Sequence, residues 1–496
     1  MKRFDRRSFL LQGAAAGAVL ALPENRACAR VGSGLPSLAA LISGPVIGPG
    51  DAAYAQARLP YNERYDGVRP RGIAQPVSVD DVRRIVTWSR RTGVPLAIRS
   101  GGHSYAGYST TTGIVVDLGR LRSISLSPSG IATIGAGARL VDIEAALAQH
   151  GRAIPAGSCA TVGIGGLALG GGVGFASRKF GTTSDNIVSL GIVTADGRHR
   201  TCSATEQADL YWACRGGGGG NFGVVTHFEL RTHPVPAVSY FFADWPWSQL
   251  DQVVKAWQAF APHAPDELFS ICAIQTGSGS PTVKCFGQLL GPQSRLDTLL
   301  APLKRVAGLQ LTLGASAYFD AQLRWAGCLG KTVTECHIAG EAPGGTLGRA
   351  SFAAKSDYVN APLSSAAIAT IGTWIERAQS GGFGSASLLL DSYGGAINRM
   401  PEDATAFVHR NALGSGQYLV YWYEPGNEAA AVAWLRGFHT AMRPYVSGFA
   451  YQNYIDRDLA SWRHAYYGAN YARLRHVKSV VDPDRLFHFP QGIAPA

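Results

Sequence analysis

Apolar positions between residues 66 and 236 fall in short runs separated by glycine turns, a pattern that predicts strands. The predicted strands lie at 94–98, 114–118, 131–134, 188–194 and 224–230. Apolar residues spaced three and four apart predict helices over 79–92 and 140–149, and Ser78 followed by acidic residues is typical of a helix start. Strands and helices are therefore mixed in this part of the chain.

The pattern changes after residue 236. Residues 237–448 have fewer glycine clusters, more tryptophan and longer helical patterns, at 248–261 and 363–379. We predict a cofactor domain at 60–236, an inserted substrate domain at 237–448 and a C-terminal segment at 449–496 that completes the first domain. Residues 30–60, rich in glycine, alanine and proline, are expected to be loosely held.

Composition excludes several classes of protein. With 46% hydrophobic and 16% charged residues, a chain of 496 residues can form large cores, so global disorder is excluded. The net charge of +11 is scattered without a block of basic residues, so we predict no nucleic-acid partner. The chain has 61 glycines, and the excess falls in tight clusters between 101 and 223 without a fixed period, which favours close contact between the backbone and a ligand.

The N-terminus carries an export signal. Arg6 and Arg7 precede a short apolar run, and Ala27-Cys28-Ala29 offers the small residues of a cleavage site. The paired arginines resemble a Tat signal over residues 1–29, which implies the Tat translocase as a transient partner and a periplasmic or extracellular location. The alternative, a membrane anchor, is disfavoured because the run is too short to span a bilayer. No later run is long enough either, so no stable membrane association is predicted.

Cysteine usage leaves one residue over. Removal of Cys28 with the signal reduces the 8 cysteines to an odd number, which is unusual for an oxidising compartment. The pairs 202/214, 272/285 and 328/336 are candidates for three disulfides, and Cys159 then stands alone. The spacings are not those of a metal site, so no metal is predicted.

Four motifs carry candidate chemistry. The first, 99–104, follows a predicted strand and reads Arg-Ser-Gly-Gly-His-Ser; its consecutive backbone amides form a nest for a pyrophosphate, or else a plain turn. The second, 157–174, contains Cys159 and also matches the Rossmann pattern from Gly163 to Ala168, with Asp185 about twenty residues on. The residues before it do not form a buried strand and its helix would contain consecutive glycines, so we disfavour a nicotinamide site.

The third motif is the glycine run 216–220 followed by Asn221. Low complexity alone would indicate a linker, but a predicted strand follows at once, which favours a close backbone contact. The fourth motif contains Tyr451 and Tyr454, which are packing residues unless the context gives them another role.

Together, and in this order, the motifs resemble the berberine bridge enzyme-like flavoproteins of the vanillyl-alcohol oxidase and p-cresol methylhydroxylase superfamily. The resemblance covers residues 60–496 and includes the closing segment from Tyr466 to Ile493. It implies an α+β fold: a two-part FAD-binding domain of the vanillyl-alcohol oxidase type, and an inserted substrate domain with an antiparallel sheet covered by helices.

The resemblance also implies roles for individual residues. His103 matches the histidine bonded to the flavin 8α-methyl carbon, and Cys159 matches the cysteine that bicovalent members bond to flavin C6. Ala160 and Leu167 depart from the proline and histidine of many bicovalent members. Val162 matches the position that admits oxygen. The other residues predicted to bind the cofactor are Arg99, Ser100, Gly101, Gly102, Ser104, Gly163, Gly166, Gly220, Asn221 and Val225.

Tyr454 matches the family's catalytic base, and Tyr451 and Asp391 are predicted to support it. Because tyrosine titrates near 10, we expect cations or hydrogen bonds that lower its pKa. The implied reaction removes a hydroxyl proton while hydride passes to flavin N5, and O2 then gives hydrogen peroxide. The substrate is a sugar or a secondary metabolite; alternatives are a dehydrogenase and a flavin-free secreted binding protein. Candidates for stacking on a sugar are Trp245, Trp247, Trp325, Tyr358, Tyr393 and Trp422.

Overall fold

The structure is a computed structural model that describes residues 34–496; the predicted signal at 1–29 lies outside the described residues. The first four strands are β1 (Val46–Ile47), β2 (Gly72–Ala74), β3 (Leu96–Arg99) and β4 (Ile114–Asp117). They form one sheet in the order β1-β2-β4-β3, in which β4 runs parallel to both neighbours.

A second sheet completes the N-terminal half. The next strands are β5 (Ile124–Leu126), β6 (Ile131–Gly135), β7 (Arg152–Ala153), β8 (Ile187–Val193), β9 (His199–Ser203), β10 (Val224–Arg231) and β11 (His233–Pro234). Five of them form an antiparallel sheet in the order β5-β6-β10-β8-β9, and β7 pairs with β11.

The third sheet belongs to the second half of the chain. Its strands are β12 (Val238–Trp245), β13 (Leu268–Gln275), β14 (Thr282–Leu289), β15 (Gln310–Ser316), β16 (Ser351–Val359), β17 (Ser385–Ser392) and β18 (Gly414–Trp422). They pair antiparallel in the order β15-β12-β14-β13-β17-β18-β16.

Helices connect and cover these sheets. Those of the N-terminal half are α1 (Leu35–Ala39), α2 (Tyr54–Ala57), α3 (Val79–Thr92), α4 (Leu140–Ala148), α5 (Ile164–Leu169), α6 (Ser177–Phe180) and α7 (Ala208–Ala213). The remaining ones are α8 (Leu250–Phe260), α9 (Gln293–Leu299), α10 (Ala301–Lys304), α11 (Tyr318–Trp325), α12 (Ser365–Gly381), α13 (Ala396–Arg399), α14 (Glu428–Met442), α15 (Trp462–Tyr467) and α16 (Tyr471–Val481).

The seven-stranded sheet has two different faces because successive side chains of a strand point to opposite sides. Phe241, Ala243 and Trp245 point toward α8, α12 and α14 and are buried in one core with them. The alternate residues point toward the N-terminal half, where the Gln417 amide of β18 donates to the Tyr105 hydroxyl (2.7 Å). We call this second side the cleft face.

The C-terminal segment packs back onto the N-terminal half. Leu474 and Phe487 are buried in the same core as the strands of the first two sheets. Lys478 and Asp482 form an ion pair that is fully buried (2.5 Å), and the lysine also donates to the Asn221 carbonyl oxygen. These contacts bring residues 450–455 to the cleft.

The predicted α+β class is confirmed, and α3 has the predicted bounds because Ser78 Oγ accepts from the Asp81 amide (3.1 Å). The expectation of a loosely held 30–60 stretch is wrong for its described part. Leu38 is buried in the main core, and the Ser43 and Gly44 amides donate to the Asp81 carboxylate. No helix within residues 34–496 is both long enough and apolar enough to cross a bilayer.

Candidate active site

Two glycine turns touch each other at the base of the cleft. A Cβ on Gly101 would lie 2.3 Å from the Gly163 nitrogen, and one on Gly163 would lie 2.1 Å from Ser100 Oγ. Gly102 has a φ of 73°, which favours glycine. The first two motifs are therefore one structure, in which the backbone comes close enough to present its amides to a ligand.

Polar side chains fix these turns from behind. Ser100 Oγ donates to the Ala136 carbonyl (2.6 Å), and Ser104 Oγ accepts from the Tyr108 amide (3.1 Å). The Arg99 guanidinium is buried against the Asp117 carboxylate (3.1 Å) and nearby carbonyl oxygens. The structure thus gives Arg99 a role in holding the end of β3.

Beside the turns lies a cavity of about 320 Å³ lined by Tyr61, Gly101, Gly102, Arg139 and Glu341. Arg139 donates to the Ser100 carbonyl (2.7 Å) and pairs with Glu341. A glycine nest next to an arginine is the donor set that a diphosphate requires. FAD carries such a group, so these residues fit it. No local pattern in the sequence marks Arg139.

His103 follows the first glycine turn and is held on both sides. Its Nε2 lies 2.9 Å from Thr161 Oγ1, and the Tyr61 ring stacks on the imidazole with centroids 3.9 Å apart and planes at 14°. Burial, with a smaller effect of the Arg139 charge, lowers the pKa of His103 to about 3. The imidazole is therefore neutral at pH 7 and keeps the nitrogen lone pair that a covalent bond to carbon needs.

Cys159 faces the same cleft. Its thiol is exposed, whereas the other six cysteines of the described chain are buried. It contributes, after burial, to the raised pKa of Tyr61, Tyr105 and Tyr421, so it lies among these three rings. Although the thiol is exposed at the cleft, the protein atoms around it remove part of its hydration and raise the pKa of Cys159, and a hydrogen bond from Ser158 opposes the shift.

Tyr454 stands on the other side of the cleft. Its ring is parallel to that of Tyr105 and meets the Tyr451 ring edge-on at 4.9 Å. Tyr451 is fixed because its hydroxyl oxygen accepts from the Gly172 amide (2.7 Å) and from Asn453 Nδ2 (2.9 Å). Burial raises the pKa of Tyr451 to about 12.

The expectation that nearby groups lower the pKa of Tyr454 is wrong. Burial raises this pKa well above 10, and Asp391, Tyr105 and Tyr451 raise it further. At neutral pH the phenol is protonated, so Tyr454 can accept a proton only if its own proton leaves to another group.

Asp391 lies on the cleft face of β17, opposite Ser415 of β18. Burial raises the pKa of its carboxyl to about 7, and a hydrogen bond from Ser415 limits the rise. Within the described chain, Asp391 is the one carboxylate among the groups that act on Tyr454. Two residues of the site, Tyr105 and Gln417, were not predicted, because only the packing of β18 on the N-terminal half brings them to the site.

The glycine run of the third motif is a packed turn and not a linker. A Cβ on Gly218 would lie 2.3 Å from Gln452 Nε2, and Gly220 has a φ of 77°. Asn221 is buried, with its amide nitrogen donating to the Gly217 carbonyl (2.9 Å) and its Oδ1 accepting from the Ile493 amide (2.9 Å). The Gly216 and Gly218 amides both donate to the Leu169 carbonyl (2.9 and 2.8 Å), so the run joins the second motif to the C-terminal segment.

The remaining predicted cofactor residues have different surroundings. Val225 is buried in β10 opposite Ile192, inside the main core. Val162 is half-buried against that core, and Gly166 is exposed with open space where a Cβ would stand. Val162 and Gly166 thus lie where a bound molecule can approach them.

The disfavoured nicotinamide site has no support in the structure. α5 is only six residues long, and Asp185 binds Arg410 through two hydrogen bonds (2.7 and 2.8 Å) instead of facing a ribose. Residues 155–163, which precede α5, contain no strand, although a Rossmann site requires one there.

Most of the aromatic candidates for sugar stacking are misplaced. Trp245, Trp247 and Trp422 contact the core between the sheet and its helices, and Tyr358 and Tyr393 are fully buried together. Only Trp325 lies on the cleft side, where its indole nitrogen donates to Gln288 Oε1 (2.9 Å). The alternation of strand faces explains the error.

The three proposed cysteine pairs are all present as free thiols. Cys272 and Cys285 are directly opposite on β13 and β14, and Cys328 and Cys336 share a small apolar cluster.

Comparison with known proteins agrees with this geometry. A family model described as an FAD binding domain matches residues 70–203, and one described as berberine and berberine like matches 450–494. YgaK, an uncharacterised FAD-linked oxidoreductase of Bacillus subtilis, is 33% identical over 463 residues, which cover 92% of this chain and 97% of YgaK.

Solved structures show the same fold. BBE-like 1 of Physcomitrella patens has a TM-score of 0.85 at 33% identity, covering 93% of this chain and 99% of its own. Xylooligosaccharide oxidase of Myceliophthora thermophila C1, in complex with xylobiose, has a TM-score of 0.81 at 30% identity, covering 91% and 97%. Fold and site together define an FAD-linked oxidoreductase. The chain belongs to the berberine bridge enzyme-like family.

Proposed function

We propose that this protein is an oxidase that holds FAD covalently through His103 and Cys159 and oxidises an alcohol or hemiacetal carbon of a small molecule. When bound, FAD supplies the acceptor for the substrate's hydride and is reoxidised by O2 with release of hydrogen peroxide. The observation that carries the proposal is that His103, Cys159, Tyr454 and Asp391 converge on one cleft.

His103 and Cys159 are suited to covalent attachment. Tyr61 lies next to both residues, since its ring stacks on the imidazole and the Cys159 thiol raises the pKa of its hydroxyl. The imidazole is neutral and held in place by Thr161, and Cys159 is the exposed thiol of the described chain. Both nucleophiles can therefore reach one planar ring system that enters the cleft between them.

Tyr454 and Asp391 move the proton. The Tyr454 phenol accepts the proton of the substrate hydroxyl as its own proton passes to the Asp391 carboxylate, directly or through one water. This transfer requires ionised Asp391, which predominates above pH 7. Tyr105 supports the phenol by stacking, and Gln417 holds Tyr105.

Val162 admits oxygen to the site. It is smaller than Leu or Ile and lies half-buried at the glycine turn that carries Cys159. Val162→Leu is expected to slow reoxidation by O2 and to leave reduction by substrate unchanged; equal reoxidation rates in a stopped-flow experiment would make the residue irrelevant to oxygen access.

We propose a sugar as the substrate, with secondary metabolites as the rival class. Trp325 lies on the cleft side, but its ring is already stacked on Phe175 (4.3 Å between centroids) and its nitrogen is bonded to the buried Gln288, so the proposal does not rest on this indole. A relative with the same fold is named a xylooligosaccharide oxidase. A panel of mono- and oligosaccharides, aromatic alcohols and polyketides, followed by peroxide release, tests this; turnover of aromatic alcohols alone would select the rival class.

A dye in place of O2 in the same panel separates an oxidase from a dehydrogenase. Purified protein without any flavin and without turnover would instead favour the flavin-free binding protein. We also propose export by the Tat translocase to the periplasm or beyond. Arg6 and Arg7 replaced by lysines should retain the protein in the cytoplasm; unchanged export would reject the Tat route.

A further inference from the structure

Cys328 and Cys336 lie in the loop between α11 and β16 and are both fully buried in a small apolar cluster with Val141, Ala160 and Leu323. Two turns fold the loop so that the thiols are neighbours: the Lys331 amide donates to the Cys328 carbonyl (2.9 Å), and the Cys336 amide donates to the Thr332 carbonyl (3.2 Å). Burial, and then the adjacent Cys328 thiol, raise the pKa of Cys336 to about 12.

The pair Cys328 and Cys336 lies closer to the surface than the other two cysteine pairs, 202/214 and 272/285. Cys272 and Cys285 are covered by the helix layer of the second half, and Cys202 and Cys214 belong to the main core. Cys328 and Cys336 lie in a small cluster whose outer cover is their own loop, in which Leu329 is 49% exposed and Gly327 and Gly330 face open space. A small opening of this loop therefore exposes both thiols to an external reagent.

The chain that follows the pair crosses the cofactor domain. We call residues 337–349 the strap. His337 Nε2 lies 3.1 Å from Asp142 Oδ1, Glu341 pairs with Arg139, and Arg349 Nη1 donates to Asp66 Oδ2 (3.0 Å). Glu341 and Arg349 line the cavity of about 320 Å³ described above.

From these contacts we infer that Cys328 and Cys336 form a disulfide that closes the loop at the start of the strap, where this loop packs against the turn carrying Cys159. The pair is a modification site independent of the flavin chemistry. Ala160, the neighbour of Cys159, packs in the same cluster, so a closed loop at this point fixes the strap where it meets the cofactor site.

The reaction is thiol–disulfide exchange with an external disulfide, such as that of a periplasmic dithiol oxidase or glutathione. One thiolate attacks a sulfur of the external disulfide and releases one thiol; the second thiolate then attacks the mixed disulfide and releases the other. The Cys328–Cys336 bond forms, the pair loses two electrons and two protons, and the external disulfide is reduced to two thiols.

The test compares reduced wild-type protein with the same protein incubated with oxidised glutathione, so it needs no variant that must fold. Thiols are alkylated after denaturation, and peptides are assigned by mass spectrometry. We expect a Cys328–Cys336 bond, with Cys272, Cys285, Cys202 and Cys214 still alkylated. Alkylation of Cys328 and Cys336 after oxidation, a stable glutathione adduct, or pairing with another cysteine would each overturn the proposal.

Amide exchange is the second readout. Oxidation should slow exchange in the strap by about tenfold, because the closed loop restricts its opening. Cys328→Ser, with Cys272→Ser as the matched control, should abolish this effect while the control keeps it. A disulfide that leaves strap exchange unchanged would show that it does not fasten the strap. Both readouts work without substrate, so their outcome is separate from that of the proposed oxidase activity.

Discussion

The phenol rings of Tyr454 and Tyr105 lie parallel, with their centroids 5.4 Å apart and an angle of 2° between their planes. The two residues come from opposite ends of the chain. Tyr105 follows the glycine turn of His103, and Tyr454 belongs to the C-terminal segment. Their stacking holds the base proposed for proton transfer against Tyr105, which is two residues after the histidine proposed to hold the flavin.

Replacement of Tyr454 by Phe removes the hydroxyl and keeps the stacked ring. We expect flavin reduction by substrate to slow by about 10²–10⁴-fold, the usual contribution of a general base. Rapid-mixing absorbance measurements without oxygen check this. Tyr358→Phe is the matched control, since that hydroxyl contacts Tyr393 (3.2 Å) in the buried cluster behind the site. Equal rates for Tyr454→Phe and the control would contradict the assignment.

Asp391 is expected to control the pH dependence of reduction. With a pKa of about 7, its carboxylate forms as pH rises, so the rate should increase through pH 7 and then level off. Asp391→Asn should abolish this limb and lower the plateau. A persistent inflection near pH 7 in the variant would assign the titration to another group.

The Asp391 carboxyl should also make the free energy of unfolding depend on pH. Its pKa is raised above the ordinary 3.8, so the unfolded state releases the proton first as pH rises. Its contribution to the free energy of unfolding is thus complete below about pH 4 and is lost as pH rises to about 7. Denaturant unfolding at several pH values should show a smaller fall over this range for Asp391→Asn than for the wild type.

The ion pair of Asp185 and Arg410 joins the cofactor domain to the loop after α13. Both side chains are buried, and although burial raises the pKa of Asp185, the hydrogen bonds and charge of Arg410 lower it overall. Asp185→Asn leaves Arg410 unpaired and should lower the free energy of unfolding by about 3–5 kcal/mol. Asp80→Asn, at an exposed pair with Arg83, should change it by about 1 kcal/mol or less.

The pH dependence of this pair has the opposite sign. Because the pKa of Asp185 is lowered, its stabilisation is present above the ordinary carboxyl range and is lost as pH falls into the acid range. Asp185→Asn should therefore lose part of the acid sensitivity of unfolding. Equal acid sensitivity of wild type and variant would mean that the pair does not hold the two parts together.

The reactivity of the Cys159 thiol tests whether a second covalent bond holds the flavin. It is the exposed thiol of the described chain, so flavin-loaded native protein should not react with a maleimide if Cys159 is bonded to the flavin. Cys159→Ala should keep flavin attached through His103 and show a changed flavin absorbance spectrum. Labelling of one thiol, mapped to Cys159 in the loaded protein, would leave His103 as the single attachment point.

Local signals predicted the elements that local contacts decide. The helix over 79–92 was predictable because Ser78 caps its start and Gly93, with a φ of 71°, ends it. The glycine turn before His103 was predictable for a similar reason, since it follows directly on a strand. The four motifs in order were enough to identify the family.

Long-range packing decided the rest. Gln417 and Tyr105 are 312 positions apart in sequence, and no local pattern marks either of them. Trp245 and Trp422 point away from the cleft, which their sequence could not show. Strand alternation tells which residues share a face, but not which face turns to the cleft. The raised pKa of Tyr454 follows from burial and from Asp391, which only the folded structure brings near it.

The proposed function depends on a covalent bond between FAD and His103. Mass spectrometry of proteolytic peptides from acid-precipitated, washed protein detects this bond. We expect a yellow pellet and a peptide containing His103 that carries the mass of the flavin, which His103→Ala loses. A colourless pellet with only unmodified His103 peptide, from protein isolated with its cofactor, would contradict it.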